Sequence, residues 1–372
     1  MALIEGKGDR KSKLLRVEEN HVAGMLNVVV VLAIAAVAYT DWIVVANVSL
    51  GYLYVLPIAL SALINPLPLT VALSVFCAFL QDLFGPVAET HQIRVVHGVI
   101  GIVGFLVVGF LVTLIAKQRD RLAAEVRQQR DAYERDMVLA AQVQRQVLPR
   151  PLVTRGLELA GFMQTARLLG GDYYDFFQIS EDVVDVVIAD VSGKGVAAAL
   201  LMPSLAVALR LRARELSGPA EIIKDLDGVL KQVTNTATFV TMFYGRFDQA
   251  SRTLQYASGG HNPPILMRPK TGEALMLEES GPVLGILEGT EFSNTVVALE
   301  MGDVLTLFTD GVTEQENEAT EEFEVDRLKA VIKKSEADSA AGIVARVSEA
   351  VSDFAGTMEQ ADDLTVVVVK IL

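Results

Sequence analysis

The sequence VIADVSGKG (residues 187–195) begins as an apolar, β-branched run, stops at Asp190 and passes into a turn that contains Gly193 and Gly195. β-Branched residues favour strands, and the glycines permit a tight turn into a following helix. This stretch therefore predicts a strand that ends in a carboxylate. A carboxylate at a strand end is well placed to bind Mg²⁺ or Mn²⁺, because both ions prefer oxygen ligands.

Three further aspartate motifs follow the same logic. They are GGDYYDFF around Asp172, LTLFTDGVTE around Asp310, and QADDLTVVVV around Asp362 and Asp363. Three of the four motifs lie at the beginning or end of an apolar run, where a strand meets a loop. Taken alone, an Asp-Gly pair is most typical of a plain turn. Together, the four motifs predict a two-metal site and a metal-dependent enzyme.

Composition limits the classes of protein to which the chain can belong. With 372 residues, we expect two or three domains. The formal net charge is −14, and all of it lies in residues 121–372. Such an acidic half argues against nucleic acid as a partner, since a phosphate backbone requires a basic surface. Cys77 is the only cysteine, which excludes disulfides and thiolate metal sites.

Four apolar stretches precede residue 117, and each has roughly the ~20 residues that a transmembrane helix needs. They are Val22–Tyr39, Ile43–Ile64, Leu67–Phe84 and Val95–Ala116. Lysine and arginine flank the set on both sides, whereas the loops between the stretches carry only Arg94. The positive-inside rule then predicts a multi-pass domain at residues 22–116 in the cytoplasmic (inner) membrane. We expect the N-terminal segment, residues 1–21, and the catalytic half to be cytoplasmic.

Two other interpretations of the apolar region carry less weight. Ala36-Val37-Ala38 resembles a signal-peptide cleavage site, but the preceding segment is long, contains Glu18 and Glu19, and is followed by further apolar stretches. A transporter is disfavoured because the stretches lack the paired charges typical of a transport path.

The segment from Leu122 to Val147 contains no Gly or Pro and predicts a long helix. Its residues at 4-3 spacing form a heptad seam, in which Gln129 and Asp136 are polar. The seam consists of Leu122, Val126, Gln129, Tyr133, Asp136, Ala140, Val143 and Val147. We therefore expect residues 117–149 to be a coiled-coil linker in a parallel homodimer, with a solvated single helix as the alternative. Pro149 then ends the helix.

The rest of the chain alternates between strand and helix patterns. Nine strands are predicted between Leu157 and Ile371, and helices are predicted at Val196–Leu216, Glu221–Val233, Val325–Lys333 and Ala340–Phe354. Many antiparallel strands with inserted helix pairs predict an α+β sandwich.

The motif order GGDYYDFF, ADVSGKG, TFVTMFYG, SGGHNPP, LFTDG and ADDLTVVVV resembles the PPM-type (protein phosphatase 2C-like) metal-dependent serine/threonine phosphatases. The similarity is to their bacterial branch, which contains SpoIIE and RsbU, and it covers about residues 137–372. It implies that residues 150–372 form a PPM-type β-sandwich flanked by helix pairs that holds two Mn²⁺ or Mg²⁺ ions. In that family, water activated by the metals attacks a phosphoserine or phosphothreonine.

The resemblance also assigns roles to individual residues. It implies that Asp190 bridges both ions and that the backbone carbonyl of Val191 is a further ligand. The remaining ligands are the carboxylates of Asp172, Asp310 and Asp362. Asp190 and Asp310 are the residues on which catalysis is expected to depend most.

Five further residues are expected to surround these ligands: Asp363, Gly311, Gly193, Lys194 and His261. Asp363 is expected beside the metals and not on them. Lys194 would either steer a phosphate or be an ordinary solvated lysine in a turn. His261, in SGGHNPP, is expected to hold a loop between strands and not to act as a general acid. The chain departs from the family at Glu324, where members often carry Gly, which leaves the local loop shape open.

The leading functional hypothesis is a membrane-anchored phosphatase that is controlled by a signal passed through the membrane domain and the linker. The family's usual substrate, a phosphorylated anti-anti-sigma protein of the STAS type, is implied by the resemblance alone. The alternative is a non-catalytic membrane sensor or scaffold that uses the phosphatase fold to bind partners.

Overall fold

The structure is a computed structural model that describes residues 2–43, 50–84, 91–193, 195–215, 218–233, 238–278 and 281–372. The chain divides into two compact units, Met1–Ala132 and Tyr133–Leu372. The boundary between the two units falls within the predicted linker, residues 117–149.

The first unit is helical. Its elements are α1 (Ala2–Ile43), a 3₁₀ helix (Gly51–Tyr54), α2 (Val55–Ile64), α3 (Leu67–Phe84) and the first part of α4 (His91–Val147). Within the described residues, three helices are long and apolar enough to cross a membrane, and they lie in Ala23–Ile43, Leu67–Phe84 and Gly98–Val147. The sequence predicts four such spans. The second, Ile43–Ile64, contains only the shorter apolar stretch Gly51–Ile64, and its residues 44–49 lie outside the described residues.

The first unit buries an apolar cluster between its helices and also exposes many large apolar side chains, which a protein folded in water avoids. Large apolar side chains face outward, including Leu32, which is 63% exposed, and Phe79, which is 59% exposed. Ser74 is buried and donates a hydrogen bond to the carbonyl of Thr70. An apolar exterior is what a lipid environment requires of a helical unit.

Some residues of the predicted heptad seam are exposed, and others are packed within the second unit. Leu122, Val126 and Tyr133 each expose more than half of their area, at 54%, 64% and 59%. Ala140 and Val147 instead pack against residues of the second unit. The exposed part of the seam is the surface that a partner helix would need, and the dimer stays a prediction.

Two five-stranded antiparallel sheets form the centre of the second unit. The first sheet has the order β1-β10-β9-β6-β7 and the second has the order β2-β3-β4-β5-β8. The strands are β1 (Leu157–Gln164), β2 (Tyr173–Gln178), β3 (Val183–Val191), β4 (Val240–Asp248), β5 (Thr253–Gly259), β6 (Ile265–Arg268), β7 (Glu273–Met276), β8 (Thr295–Ala298), β9 (Val304–Phe308) and β10 (Leu364–Ile371).

A pair of helices covers the outer face of each sheet. The helices α5 (Val196–Glu215) and α6 (Pro219–Val233) pack on the second sheet, and α8 (Glu324–Ser335) and α9 (Ala340–Ala355) pack on the first. A single turn, α7 (Asp310–Thr313), follows β9. The result is a four-layer sandwich, and the predicted α+β sandwich flanked by helix pairs is confirmed.

Apolar side chains from facing strands fill the space between the two sheets. Ile188 of β3 and Phe243 of β4 meet Leu307 of β9 and Val367 of β10 in one buried cluster. Side chains of a strand alternate between its two faces, so the other face of each sheet is free to bury the helix pairs. Hydrophobic residues on both faces explain why β3, β9 and β10 read as near-continuous apolar runs in the sequence.

Sequence patterns miss two elements and leave one loop shape open. β7 lacks β-branched residues, and it forms because it pairs with β6 across a short turn. The single turn α7 is too short to carry a periodic pattern. Glu324 has a φ of 61°, the left-handed conformation that favours glycine. The loop therefore keeps the backbone shape that glycine would suit, although the chain has Glu there.

A buried ion pair joins the second sheet to α5. Asp185 of β3 is fully buried, and its carboxylate accepts hydrogen bonds from both the Nε and Nη2 of Arg246, each at 2.8 Å. The hydroxyl of Tyr244 donates to the same carboxylate. Arg246 also donates to the carbonyl of Ala213 near the end of α5, at 2.9 Å. A charge pair with this many satisfied bonds is tolerated in a core, whereas either partner alone is costly.

We expect Arg246→Met to lower the free energy of unfolding of residues 133–372 by about 3–5 kcal/mol, because it leaves the Asp185 carboxylate buried without its cation. The matched control is Lys270→Met, which removes an exposed pair with Glu300 and should leave the free energy of unfolding nearly unchanged. Urea unfolding followed by circular dichroism measures both. Equal effects of the two substitutions would contradict the prediction.

Candidate active site

Asp172 and Asp190 come together through the pairing of β2 with β3. Asp172 immediately precedes β2, and Asp190 is the penultimate residue of β3. The two strands are antiparallel, with Tyr173 opposite Ala189, so the next pair along places Asp172 opposite Asp190. Their carboxyl groups are close enough for the charge of Asp190 to act on Asp172. Strand register therefore puts two carboxyl groups side by side at one edge of the second sheet.

The other acidic motifs meet in the same way in the first sheet. Asp310 follows β9, and Asp362 and Asp363 precede β10. These strands are also antiparallel, so the end of β9 lies beside the beginning of β10. A Cβ atom at Gly311 would overlap the carbonyl oxygen of Asp363. Glycine is therefore required for the Asp310 turn to approach the Asp362-Asp363 segment this closely.

Two threonine hydroxyls connect the two edges. Thr309 donates to the Oδ2 of Asp172 at 2.8 Å, and Thr365 donates to the same oxygen at 2.5 Å. Both threonines belong to the first-sheet side of the site, whereas Asp172 belongs to the second sheet. The hydroxyls therefore fix Asp172 against the opposite sheet. Sequence reasoning missed them, although each lies one or two residues from a predicted aspartate.

Asp363 holds the loop that carries the GGD motif. Its Oδ1 accepts a hydrogen bond from the backbone N–H of Ala166 at 2.8 Å, and its Oδ2 accepts one from Gly171 at 2.7 Å. Gly171 in turn lies close to the Val191 carbonyl, because a Cβ at position 171 would be 2.7 Å from that oxygen. These contacts place the Val191 carbonyl and the GGD loop together at the site.

The charges of the aspartates act on one another. Burial, together with the negative charges of Asp310, Asp362 and Asp363, raises the pKa of Asp190 to about 7. Burial and the charge of Asp190 raise the pKa of Asp172 well above its usual range, against the hydrogen bonds from the threonines. Crowded carboxylates whose pKa values rise in this way create a strong preference for a nearby cation.

The donor set fits hard divalent cations. Carboxylate oxygens and a backbone carbonyl are the ligands that Mg²⁺ and Mn²⁺ prefer. Among the described residues, no three His, Cys, Asp or Glu side chains are already arranged as a complete ligand set. The structure therefore brings the oxygen donors and their negative charge together at one edge of the sandwich. The described side chains do not by themselves form a complete ligand set for a metal ion.

A small cleft of about 20 Å³ opens at the site. Its lining includes Arg167, Gly193, Gly195, Asp190 and Asp362. Arg167 is exposed. Both glycines are in the left-handed region, with φ values of 92° and 95°, as a tight turn between β3 and α5 requires. Lys194, between them, lies outside the described residues.

His261 lies beneath the site and away from solvent. It is fully buried, and its Nδ1 is 2.8 Å from the hydroxyl of Thr241. Thr241 is the β4 residue that pairs with Asp190. Burial lowers the pKa of His261 to about 4, so the ring is neutral at pH 7. A buried, neutral imidazole in this position can support strand β4.

The four-layer sandwich with acidic strand ends is the PP2C-type phosphatase fold. The SiaA-PP2C domain of Pseudomonas aeruginosa superposes with a TM-score of 0.57 at 19% sequence identity, covering 65% of this chain and 98% of that domain. The RsbU and RsbW domains of Rv1364c from Mycobacterium tuberculosis superpose with a TM-score of 0.50 at 26% identity, covering 59% of this chain and 61% of that one.

The chain belongs to the family of Stage II sporulation protein E (SpoIIE), whose family model matches residues 180–372. The membership predicted from the motifs is thereby confirmed. Among curated proteins, phosphoserine phosphatase RsbU of Bacillus subtilis (strain 168) is 33% identical over 180 residues, which is 48% of this chain and 53% of RsbU. The chain spans about half the length of the curated relatives it matches.

We expect Thr365→Val to weaken Mn²⁺ binding about tenfold, because loss of an outer partner of a ligand typically costs about 10–100-fold in metal affinity. The matched control is Thr306→Val, since Thr306 is equally buried but its hydroxyl has no partner in the described part of the chain. Its removal should leave metal affinity unchanged. Calorimetric titration with Mn²⁺ measures both variants, and equal affinities would refute the role of Thr365.

Proposed function

We propose that the chain is a membrane-anchored, metal-dependent phosphatase that hydrolyses phosphoserine or phosphothreonine on a protein substrate. The observation that carries this proposal is the meeting of two acidic strand ends from each sheet at a single edge of the sandwich. Membership of the SpoIIE family gives the same reaction class.

Asp190 would bridge two Mn²⁺ or Mg²⁺ ions, and the Val191 carbonyl with Asp172, Asp310 and Asp362 would provide the other ligands. When bound, two such cations lower the pKa of a water molecule and neutralise the charge that develops on a phosphoryl group. The chain's own contribution is to hold these oxygens in place through strand register and hydrogen bonds.

Among the described residues that line the cleft, Arg167 is the exposed cation. A guanidinium presents several N–H donors in a plane and can pair with two phosphate oxygens at once. We propose that it orients the phosphoryl group of the substrate, whereas the aspartates hold the cations.

The substrate proposal rests on similarity. RsbU and RsbP of Bacillus subtilis are both named phosphoserine phosphatases, and they are 33% and 28% identical to this chain over the matched residues. A phosphorylated anti-anti-sigma protein of the STAS type is the substrate that the family resemblance implies. The acidic catalytic half, with all of the net charge of −14, makes nucleic acid an unsuitable partner.

Membrane anchoring is supported by the three long apolar helices and by the apolar exterior of the first unit. With the predicted second span, Ile43–Ile64, included, the number of crossings is four, and the lysines and arginines before the first span and after the last then favour a cytoplasmic location for both ends by the positive-inside rule. We propose a multi-pass protein of the cytoplasmic (inner) membrane whose phosphatase domain is cytoplasmic, with a signal passing through the membrane domain and linker.

A non-catalytic scaffold is the second candidate function. It would use the phosphatase fold to bind partners without turnover, and the intact set of site aspartates argues against it. Metal binding separates the two candidates, because a scaffold does not need to bind divalent cations.

Asp190→Asn and Asp310→Asn should each reduce Mn²⁺-dependent hydrolysis of a phosphoserine peptide at least about 100-fold, since even outer partners of metal ligands contribute about 10–100-fold. The control is Asp326→Asn, an exposed acid on α8, which should keep full activity. Release of inorganic phosphate by the full chain in detergent is the measurement. Full activity in either site variant, or activity in the presence of EDTA, would exclude the proposed mechanism.

The predicted dimer is tested by disulfide crosslinking in membranes. In a Cys77→Ser background, Val126→Cys should form a covalent dimer on oxidation, because Val126 lies on the exposed seam. Gln128→Cys, which lies off the seam, is the matched control and should crosslink at least about tenfold more slowly. Monomer in both variants would remove the coiled-coil dimer from the proposal.

A further inference from the structure

Three glutamines lie within two turns at the end of α4, and only one of them is buried. Gln142 and Gln146 are exposed, whereas Gln144 is 4% exposed. A buried amide is costly unless its donors and acceptors are satisfied. The environment of Gln144 therefore distinguishes it from its two neighbours in a way that the sequence pattern does not show.

Gln144 pairs with the backbone of Gly170, the first residue of the GGD motif. Its Nε2 donates to the Gly170 carbonyl at 2.6 Å, and the Gly170 N–H donates to its Oε1 at 3.2 Å. The Gln144 amide therefore both donates and accepts a hydrogen bond, as the backbone of a paired strand residue does. One side chain thus satisfies both polar groups of a buried glycine.

The other side of the GGD loop contacts Asp363, a residue of the proposed metal site. A Cβ atom at Gly170 would overlap the Oδ2 of Asp363, and the same oxygen accepts the N–H of Gly171 at 2.7 Å. The Gly170-Gly171 segment is therefore held between Gln144 on one side and Asp363 on the other. Asp172 is the next residue, so its position depends on how firmly this segment is held.

The end of α4 is itself fixed, which gives Gln144 a defined location. Ala141 packs with Leu169 and Ala199 in a small buried cluster. Arg210 of α5 donates to the Val147 carbonyl at 3.0 Å. The same arginine binds the carboxylate of Asp175, with Nε to Oδ2 at 2.6 Å. All of these contacts lie inside the second unit.

We infer that Gln144 is a positioning residue for the metal site: through Gly170 it fixes the loop that carries Asp172. The inference rests on the proposed function for the identity of the site, and it adds that the last turns of α4 form part of that site's support. The helix that ends the linker is then more than a spacer, since displacing it removes both hydrogen bonds from Gly170.

The test compares Gln144→Met with Gln146→Met in the full chain in detergent. Met keeps the volume of the side chain and removes both hydrogen bonds. We expect Gln144→Met to raise the Kd for Mn²⁺ about tenfold, about 1.4 kcal/mol, by calorimetry. In the metal-free protein, amide hydrogen exchange of residues 169–172 should be faster in this variant alone. Gln146→Met should match wild type in both measurements.

Gln144→Glu is the second test variant, to be used if Gln144→Met fails to fold. Glu keeps an acceptor for the Gly170 N–H but loses the donor to the Gly170 carbonyl. Its added negative charge would by itself strengthen cation binding. Weaker Mn²⁺ binding by Gln144→Glu therefore identifies lost positioning and not a charge effect.

A folded Gln144→Met chain with wild-type Mn²⁺ affinity and wild-type exchange at residues 169–172 would overturn the inference. The outcome is separable from the proposed function. If wild type hydrolyses no phosphoester, but Gln144→Met still weakens Mn²⁺ binding and speeds exchange, the proposed function fails and the positioning role stands.

Discussion

The crowding of carboxylates at one edge of the sandwich is the constraint on which the catalytic unit depends. Like charges that are brought together out of water repel, and the raised pKa values of Asp172 and Asp190 express that cost. Antiparallel pairing of β2 with β3 and of β9 with β10 imposes the crowding in spite of the repulsion. The large buried core between the sheets supplies the free energy that holds the edges together.

Buried aspartates in this unit have two kinds of hydrogen-bond partner. Asp185 and Asp175 each bind an arginine, Arg246 and Arg210, and these pairs tie helix α5 to strands. The described partners of the Asp172 side chain are instead threonine hydroxyls, and those of the Asp363 side chain are backbone N–H groups. Neutral donors orient a carboxylate without cancelling its charge. Such aspartates remain able to attract a metal cation, whereas an arginine partner would occupy that role.

Local sequence patterns predict most of the strands and the location of the aspartates at strand ends. β-Branched runs place β3, β9 and β10 correctly, because these strands are apolar on both faces. β7 is missed because it contains no β-branched residue, whereas β8, which is equally short, is predicted from its Thr and Val residues, and α7 is a single turn with no periodic pattern. The apolar stretches likewise predict four membrane spans, where the described residues contain three helices of sufficient length. The second predicted stretch, Ile43–Ile64, includes residues 44–49, which lie outside the described residues, and its described part is the shorter Gly51–Ile64.

The sequence by itself determined which carboxylates lie at strand ends, because the change from a β-branched run to a turn is a local event. It also determined the family, because six motifs in a fixed order are specific together. Only the tertiary structure decided what holds those carboxylates. Thr365, Thr306 and the three glutamines Gln142, Gln144 and Gln146 look ordinary in one dimension. Burial and hydrogen bonding separate them, and both depend on contacts such as Gln144 with Gly170, across 26 residues, and Thr365 with Asp172, across 193.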